Sequence, residues 1–247
     1  MAIFKRDSLG HITIFKKWLI RILGVISHHR FKGINNLNIK GGHIISDLPD
    51  RNVLFISNHQ TYFADVAAMI HVFNASLNGR SNSLKNIGYL WRPKLNLYFI
   101  AAKETMQSGL LQKIMAHTGA IHVERTWRAE GKDIKRELQA DDVSNINKAL
   151  KNGWLITFPQ GTTKALTPIR RGTAHIIQKN LPIVVPVVID GFRRSFDKKG
   201  LLIKKKGVQQ SIEVKEPLFI DYNKDTIDEI LEKVEFAIEQ HHSFLKV

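Results

Sequence analysis

Short apolar runs recurring between stretches of helical periodicity constrain this fold more than any other property of the chain. Val53–Ile56, Leu97–Ala102, Ala120–Val123, Trp154–Thr157 and Ile183–Ile189 read as strands. The last is almost continuously apolar and is bracketed by Pro182 and Pro186, as expected of a buried strand with proline at its start. Between them lie helical stretches at Asp65–Phe73, Leu110–His117 (stopped by Gly119), Asp142–Leu150 (ended by Gly153) and Thr173–Lys179. Asn38–Gly41 suggests a short strand entering a turn, Ser211–Val214 alternates like a strand, and Thr226–Gln240 is an amphipathic helix. Strands alternating with helices argue for an α/β fold with a central mixed, largely parallel sheet flanked by helices. Asn74–Asn86, rich in Asn, Ser and Gly, reads as a loop, and the strongly charged 125–140 stretch as a surface excursion.

A chain of 247 residues fits one large domain, 37–247, with an N-terminal appendage over 1–36. The absence of cysteine excludes disulfides, thiolate metal sites and a cysteine nucleophile. A net charge of +15 is the outlying value; such a field attracts polyanions such as nucleic acid, anionic lipid headgroups or an acidic acyl donor. No helix-turn-helix, zinc finger or aromatic-studded sheet is recognisable, so nucleic acid is not the expected partner. The Lys198-Lys199 and Lys204-Lys205-Lys206 runs flank a hairpin or loop and read as solvated surface.

The N-terminal stretch Ile12–Ile26 has helical spacing, with Lys17, Arg21, Gly24 and His28 along one side and Ile12, Phe15, Leu19, Ile22 and Ile26 over much of the rest. Its charges keep the uncharged run well short of the ~20 residues that span a bilayer. It also lacks the cleavage pattern of a signal peptide. A wide apolar face with a tryptophan and cations suits a helix lying in a membrane interface; the alternative is packing on the domain's own core.

The chemistry concentrates at Val53–Asp65, where an apolar strand ends in Ser57-Asn58-His59 and a carboxylate, Asp65, follows. Strand ends deliver side chains to loop-lined crevices. A neutral histidine takes a proton near pH 7, and a carboxylate on its other nitrogen fixes the tautomer and stabilises the imidazolium. That pair suits deprotonating an alcohol. With no Gly-x-Ser-x-Gly elbow present, the attacking hydroxyl belongs to a substrate. The remaining histidines, including His28-His29 and His241-His242, form no metal-site spacing, so neither metal nor cofactor is expected.

Three further blocks follow in order: Ala102-Lys103-Glu104 leading to Gly119–Arg125, then Thr157–Thr163, then Pro182–Val187. Together the four resemble the glycerolipid acyltransferase family of the lysophosphatidic acid acyltransferase type, over most of the chain. The family pattern departs at two places. NHxxxxD is lengthened, with Gln60 to Ala64 separating His59 from Asp65, and FPEGTR becomes Phe158-Pro159-Gln160-Gly161-Thr162-Thr163. Residues six apart on a continuous helix sit roughly 240° around the axis, so a His59–Asp65 pair requires a non-helical segment after His59 and Asp65 on the first turn of the next helix.

The resemblance implies a glycerol-3-phosphate acyltransferase-like fold, with 1–36 as a membrane-associating segment and 37–247 as the acyltransferase domain. It implies His59 as general base oriented by Asp65, and Asn58, Lys103, Arg125, Gln160, Gly161 and Thr162 as substrate-binding residues, with Arg125 toward the acceptor's phosphate. The donor is acyl-CoA or acyl carrier protein, and the acceptor a lysolipid, foremost 1-acylglycerol 3-phosphate. Thr163 in place of a cation leaves a lyso-aminolipid acceptor open. The implied location is peripheral, on the cytoplasmic face of the cell membrane. A catalytically silent basic membrane- or nucleic-acid-binding domain, or a thioesterase, are the alternatives from other classes.

Overall fold

The alternation of apolar runs and helical stretches becomes one layered sheet in the structure, a computed structural model that describes residues 5–107, 109–123 and 140–244. In chain order the elements are α1 (Thr13–Lys32), β1 (Asn36–Lys40), α2 (Gly42–Asp47), β2 (Val53–Ser57), α3 (Ala64–Leu77), β3 (Leu97–Ala102), α4 (Lys103–Gln107), α5 (Leu110–Ala116) and β4 (Ala120–Val123). They continue with α6 (Ala140–Asn152), β5 (Trp154–Thr157), α7 (Arg171–Asn180), β6 (Ile183–Asp190), α8 (Phe192–Ser195), β7 (Gln209–Val214) and α9 (Ile227–Ala237). The described strands form one sheet in the order β1-β7-β6-β2-β5-β3-β4. From β6 to β4 every pairing is parallel, whereas β7 is antiparallel to β6 and carries β1 parallel to itself.

β2 and β5 sit mid-sheet and are buried along their whole length, which explains why both read as apolar runs and not as alternating strands. Their side chains divide by the two-residue period of a strand. Phe55, Trp154 and Ile156 enter the core beneath α1, α2 and α3, while Leu54, Ile56 and Leu155 enter the core beneath α6, α7 and α9. Phe55 packs 4.3 Å from the Phe73 ring and 5.3 Å from Trp154. With no exposed surface, Phe55→Ala should cost about 3–5 kcal/mol. α9 opens with a capping box in which Thr226 and Glu229 satisfy each other's backbone N–H groups.

Three local readings are corrected. The loop reading at Asn74 gives way to four more helical residues, because Asn74 is fully buried and its amide bonds Ile70 O (2.7 Å) and the N–H of Lys94 (2.7 Å). α2, α4 and α8 lie where no helix was expected. The lysines of the basic 198–206 stretch are exposed, as expected, while the carbonyls of Lys198 and Lys199 accept the N–H groups of Tyr62 (3.1 Å) and Phe63 (3.0 Å). Finally, α1 is longer than expected and faces differently.

In α1, Leu19, Ile20, Gly24 and Phe31 are buried against the domain, so Leu19 leaves the set expected to face outward. Gly24 is buried because a side chain there would strike Leu90. Lys16 is also buried; its ammonium meets Asp7 at 3.3 Å and Leu97 O at 3.2 Å and lies 4.3 Å from the centre of the Tyr98 ring. Up to Ile26 the exposed residues of α1 are all apolar: Ile14, Phe15, Trp18, Ile22, Val25 and Ile26. At about 100° per residue these occupy one arc of roughly 120°. Arg21 sits beside it, between the rings of Trp18 and Trp91. Among the described residues, no helix is long and apolar enough to cross a membrane.

Candidate active site

The C-terminal ends of β2, β3 and β5 converge on a cavity of about 790 Å³, where an open parallel sheet presents its crevice. His59, just past β2, lines it. Two neighbours pin this residue in the backbone. Asn58 exchanges both bonds with Ile189, its Nδ2 donating to Ile189 O and its Oδ1 accepting the Ile189 N–H, each at 2.8 Å. Gln60 donates to Ile189 O (3.0 Å) and accepts the N–H groups of Phe192 (2.9 Å) and Arg193 (3.1 Å). The strap between β2 and α3 is thereby fastened to β6 and α8. Asn58, expected to bind substrate, serves in the structure to hold the loop.

Asp65 is the second residue of α3 and is wholly buried. A buried carboxylate persists only when hydrogen-bonded. This one accepts the N–H of Gln60 (2.6 Å), the N–H of Thr61 (3.1 Å), the Thr61 hydroxyl (2.7 Å) and His59 Nδ1 (2.9 Å). The loop turns its amides inward around the carboxylate, which absorbs the additional residue between His59 and Asp65. Because a carboxylate only accepts, Nδ1 carries the proton and Nε2 keeps its lone pair. Phe158 stacks on the imidazole with centroids 3.9 Å apart, fixing the ring plane. Nε2 has no hydrogen-bond partner among the described residues.

The third block forms a tight turn. Gly161 has φ +62° and donates its N–H to Phe158 O (2.8 Å), and a side chain there would collide with the Arg170 guanidinium. Gly161 lines the cavity, but its N–H is already committed to Phe158 O. Gln160 is buried and lines neither this cavity nor the one beside it. Its Nε2 donates to Thr167 O (2.8 Å) and Gln240 Oε1 (3.1 Å), making it a brace between the turn and the chain after α9 and not a substrate ligand. A carboxylate could supply neither bond, which accounts physically for glutamine here.

Lys103 opens α4 at the end of β3 and is exposed, while its neighbours Ala102, Thr105 and Met106 line the cavity. Arg125 lies outside the described residues. Thr162 lines a second cavity of about 310 Å³. Several residues now at the site were not expected among the site residues. Phe158 was legible only as part of a motif, and Arg170, Arg171 and His175 come from the start of α7. Arg171 is paired with Asp228 at 2.7 Å. Apart from these, the large cavity is mainly apolar, with Val66, Phe99, Ile100, Met106, Val143 and Ile146 in its walls. Among the described residues no group of three His, Asp or Glu side chains is arranged to hold a metal ion.

A family model described as Acyltransferase matches residues 36–190. No curated protein matches the sequence. Among solved structures, the 1-acyl-sn-glycerophosphate (LPA) acyltransferase PlsC from Thermotoga maritima is similar, with a TM-score of 0.57 and 17% identity over 90% of this chain and 78% of that one.

Proposed function

The chain belongs to the acyltransferase family, and from that premise we propose that it moves a fatty acyl group from a thioester to the hydroxyl of a lysolipid, with 1-acylglycerol 3-phosphate as acceptor. The donor is acyl-CoA or acyl carrier protein. One observation carries this reading: a buried carboxylate holds Nδ1 of His59, whose Nε2, unpartnered among the described residues, belongs to a residue lining a large apolar cavity.

In the proposed reaction Nε2 takes the proton of the acceptor hydroxyl as its oxygen bonds to the thioester carbon. Asp65 stabilises the imidazolium that forms. The carbonyl oxygen becomes an oxyanion, and the N–H groups of Thr162 and Thr163, unpartnered among the described residues, are the donors this loop has left for it. Collapse re-forms the carbonyl and breaks the carbon–sulfur bond, and the thiolate leaves with the proton from His59. The acyl chain rests among Val66, Phe99 and Ile146, with apolar contact offsetting the loss of its chain freedom. Attachment to the membrane is peripheral, through the exposed stripe of α1, with Lys17 and Arg21 at its edge facing anionic headgroups on the cytoplasmic leaflet.

The test offers the purified protein acyl-CoA or acyl carrier protein with lysophosphatidate, a lyso-aminolipid or no acceptor. Acylated lysophosphatidate is the expected product. Free fatty acid formed equally with and without acceptor would replace the reading with hydrolysis.

A further inference from the structure

The 310 Å³ cavity is lined by neighbours of His59 and Gly161 in the same two loops, and its character is the reverse of the apolar one. Lys164, Arg193, Lys198 and Lys204 line it together with Gln60 and Thr162. The one carboxylate in its wall, Asp197, accepts the N–H groups of Leu201 and Leu202, each at 2.8 Å, and forms no ion pair with these cations. Four like charges gathered around one concavity repel each other, a cost that an anion within it would reverse.

The four cationic side chains are exposed, but the loops that carry them are tied down. The loop bearing Lys198 and Lys204 bonds through its carbonyls to Tyr62 and Phe63. Gly200, at φ +77°, packs so closely on the loop that a side chain would strike Ala64 N and the Thr61 hydroxyl, two atoms next to the Asp65 clasp. Arg193 joins the two site loops directly. Its Nη2 donates to His59 O (3.2 Å) and Thr163 O (2.5 Å). The Nε and Nη1 donors of the guanidinium remain without partners among the described residues, and each can donate to an oxygen of an anion. Thr163 is the position where the third block lacks a cation, and Arg193 brings a guanidinium to that residue's own carbonyl from a segment 30 residues later.

We propose that this cavity is a phosphate-monoester site, with Arg193 supplying the guanidinium missing at Thr163 and Lys164, Lys198 and Lys204 completing the charge. It rests on the acyl-transfer reading only in the origin of the ligand: the phosphate is the headgroup of the acceptor or the 3′-phosphate of a CoA donor. The bond from Arg193 to His59 O couples its occupancy to the backbone of the general base.

The experiment is direct binding to the full chain, by calorimetry at low salt, of glycerol 3-phosphate, glycerol and adenosine 3′,5′-bisphosphate. Variants are Arg193→Lys and, to avoid disturbing the loop tie, Lys198→Gln combined with Lys204→Gln. Losing a charge-assisted contact should weaken the phosphate ligand roughly tenfold or more, with glycerol binding negligible throughout. Weakening of glycerol 3-phosphate assigns the site to the acceptor; weakening of the bisphosphate alone assigns it to the donor. Undiminished binding of both ligands in both variants overturns the proposal. Because the readout needs no turnover, failure of acyl transfer with every acceptor would sink the acyl-transfer reading while leaving this site independently judged.

Discussion

At the scale of single residues, the site is a carboxylate surrounded by donors. Asp65→Asn keeps the size of the side chain but brings an amide into a pocket of N–H and O–H groups, removing control of the His59 tautomer. Acyl transfer should fall by about 10²–10⁴-fold, the usual worth of a positioned base, while the melting temperature changes modestly; wild-type turnover would refute the pairing. Gln160→Glu restores the family pattern but points a carboxylate at Thr167 O and Gln240 Oε1. It should cost about 1–3 kcal/mol, read as an earlier urea midpoint, and an unchanged midpoint would deny the brace. The spacing of His59 and Asp65 was readable in the chain. The inward turn of the Gln60 and Thr61 amides was not, because backbone N–H direction leaves no mark on residue identity.

A second residue-scale test uses His71, wedged between Tyr89 OH and Ser27 Oγ, each at 2.9 Å. Burial, with a smaller contribution from the nearby His28, pushes its pKa down to about 3 from an ordinary 6.5. Between those values the unfolded chain holds a proton that the folded chain does not. Stability from this group is therefore complete above pH 6.5 and is lost as pH falls toward 3, at up to about 1.4 kcal/mol per pH unit. His71→Asn, which cannot titrate, should flatten the fall in melting temperature between pH 6.5 and 4. Parallel curves for the two proteins would exclude His71 as the source.

At the scale of elements, α1 is the informative case. Its helical period was evident, but which arc faces out depended on Lys16 finding Asp7 and Gly24 fitting under Leu90, contacts that close over distances no periodicity encodes. Trp18→Glu with Ile22→Glu should release the protein from anionic vesicles without lowering its melting temperature, since both side chains are more than half exposed. Leu19→Ala should do the reverse, costing about 2–5 kcal/mol as a core truncation while leaving vesicle binding intact. Vesicle binding unchanged by the glutamates would exclude α1 as the anchor. The buried strands were legible because mid-sheet parallel strands must be apolar on both faces. The short α2, α4 and α8 were not, since helices of 6, 5 and 4 residues carry too little periodicity to register.

At the scale of the whole molecule, the sheet order explains how four blocks separated in sequence act together. β2, β5 and β3 are adjacent and parallel, so the loops that follow them share one edge. β6 on the other side of β2 lends Ile189 and the start of α8 to hold the His59 strap. The motifs announced the first of these arrangements. The cationic wall from Arg193 to Lys204 was invisible as a site because its meaning lies in which loop it touches, and as a run of lysines it looks like any solvated surface. The central claim is that His59 takes the proton of an acceptor hydroxyl at this edge. The most direct measurement compares wild type with His59→Ala, matched by circular dichroism, for thiol release coupled to acylation of lysophosphatidate. A drop of at least about 10²-fold with the fold intact is the predicted result; a folded His59→Ala protein that acylates the lipid at the wild-type rate would contradict it.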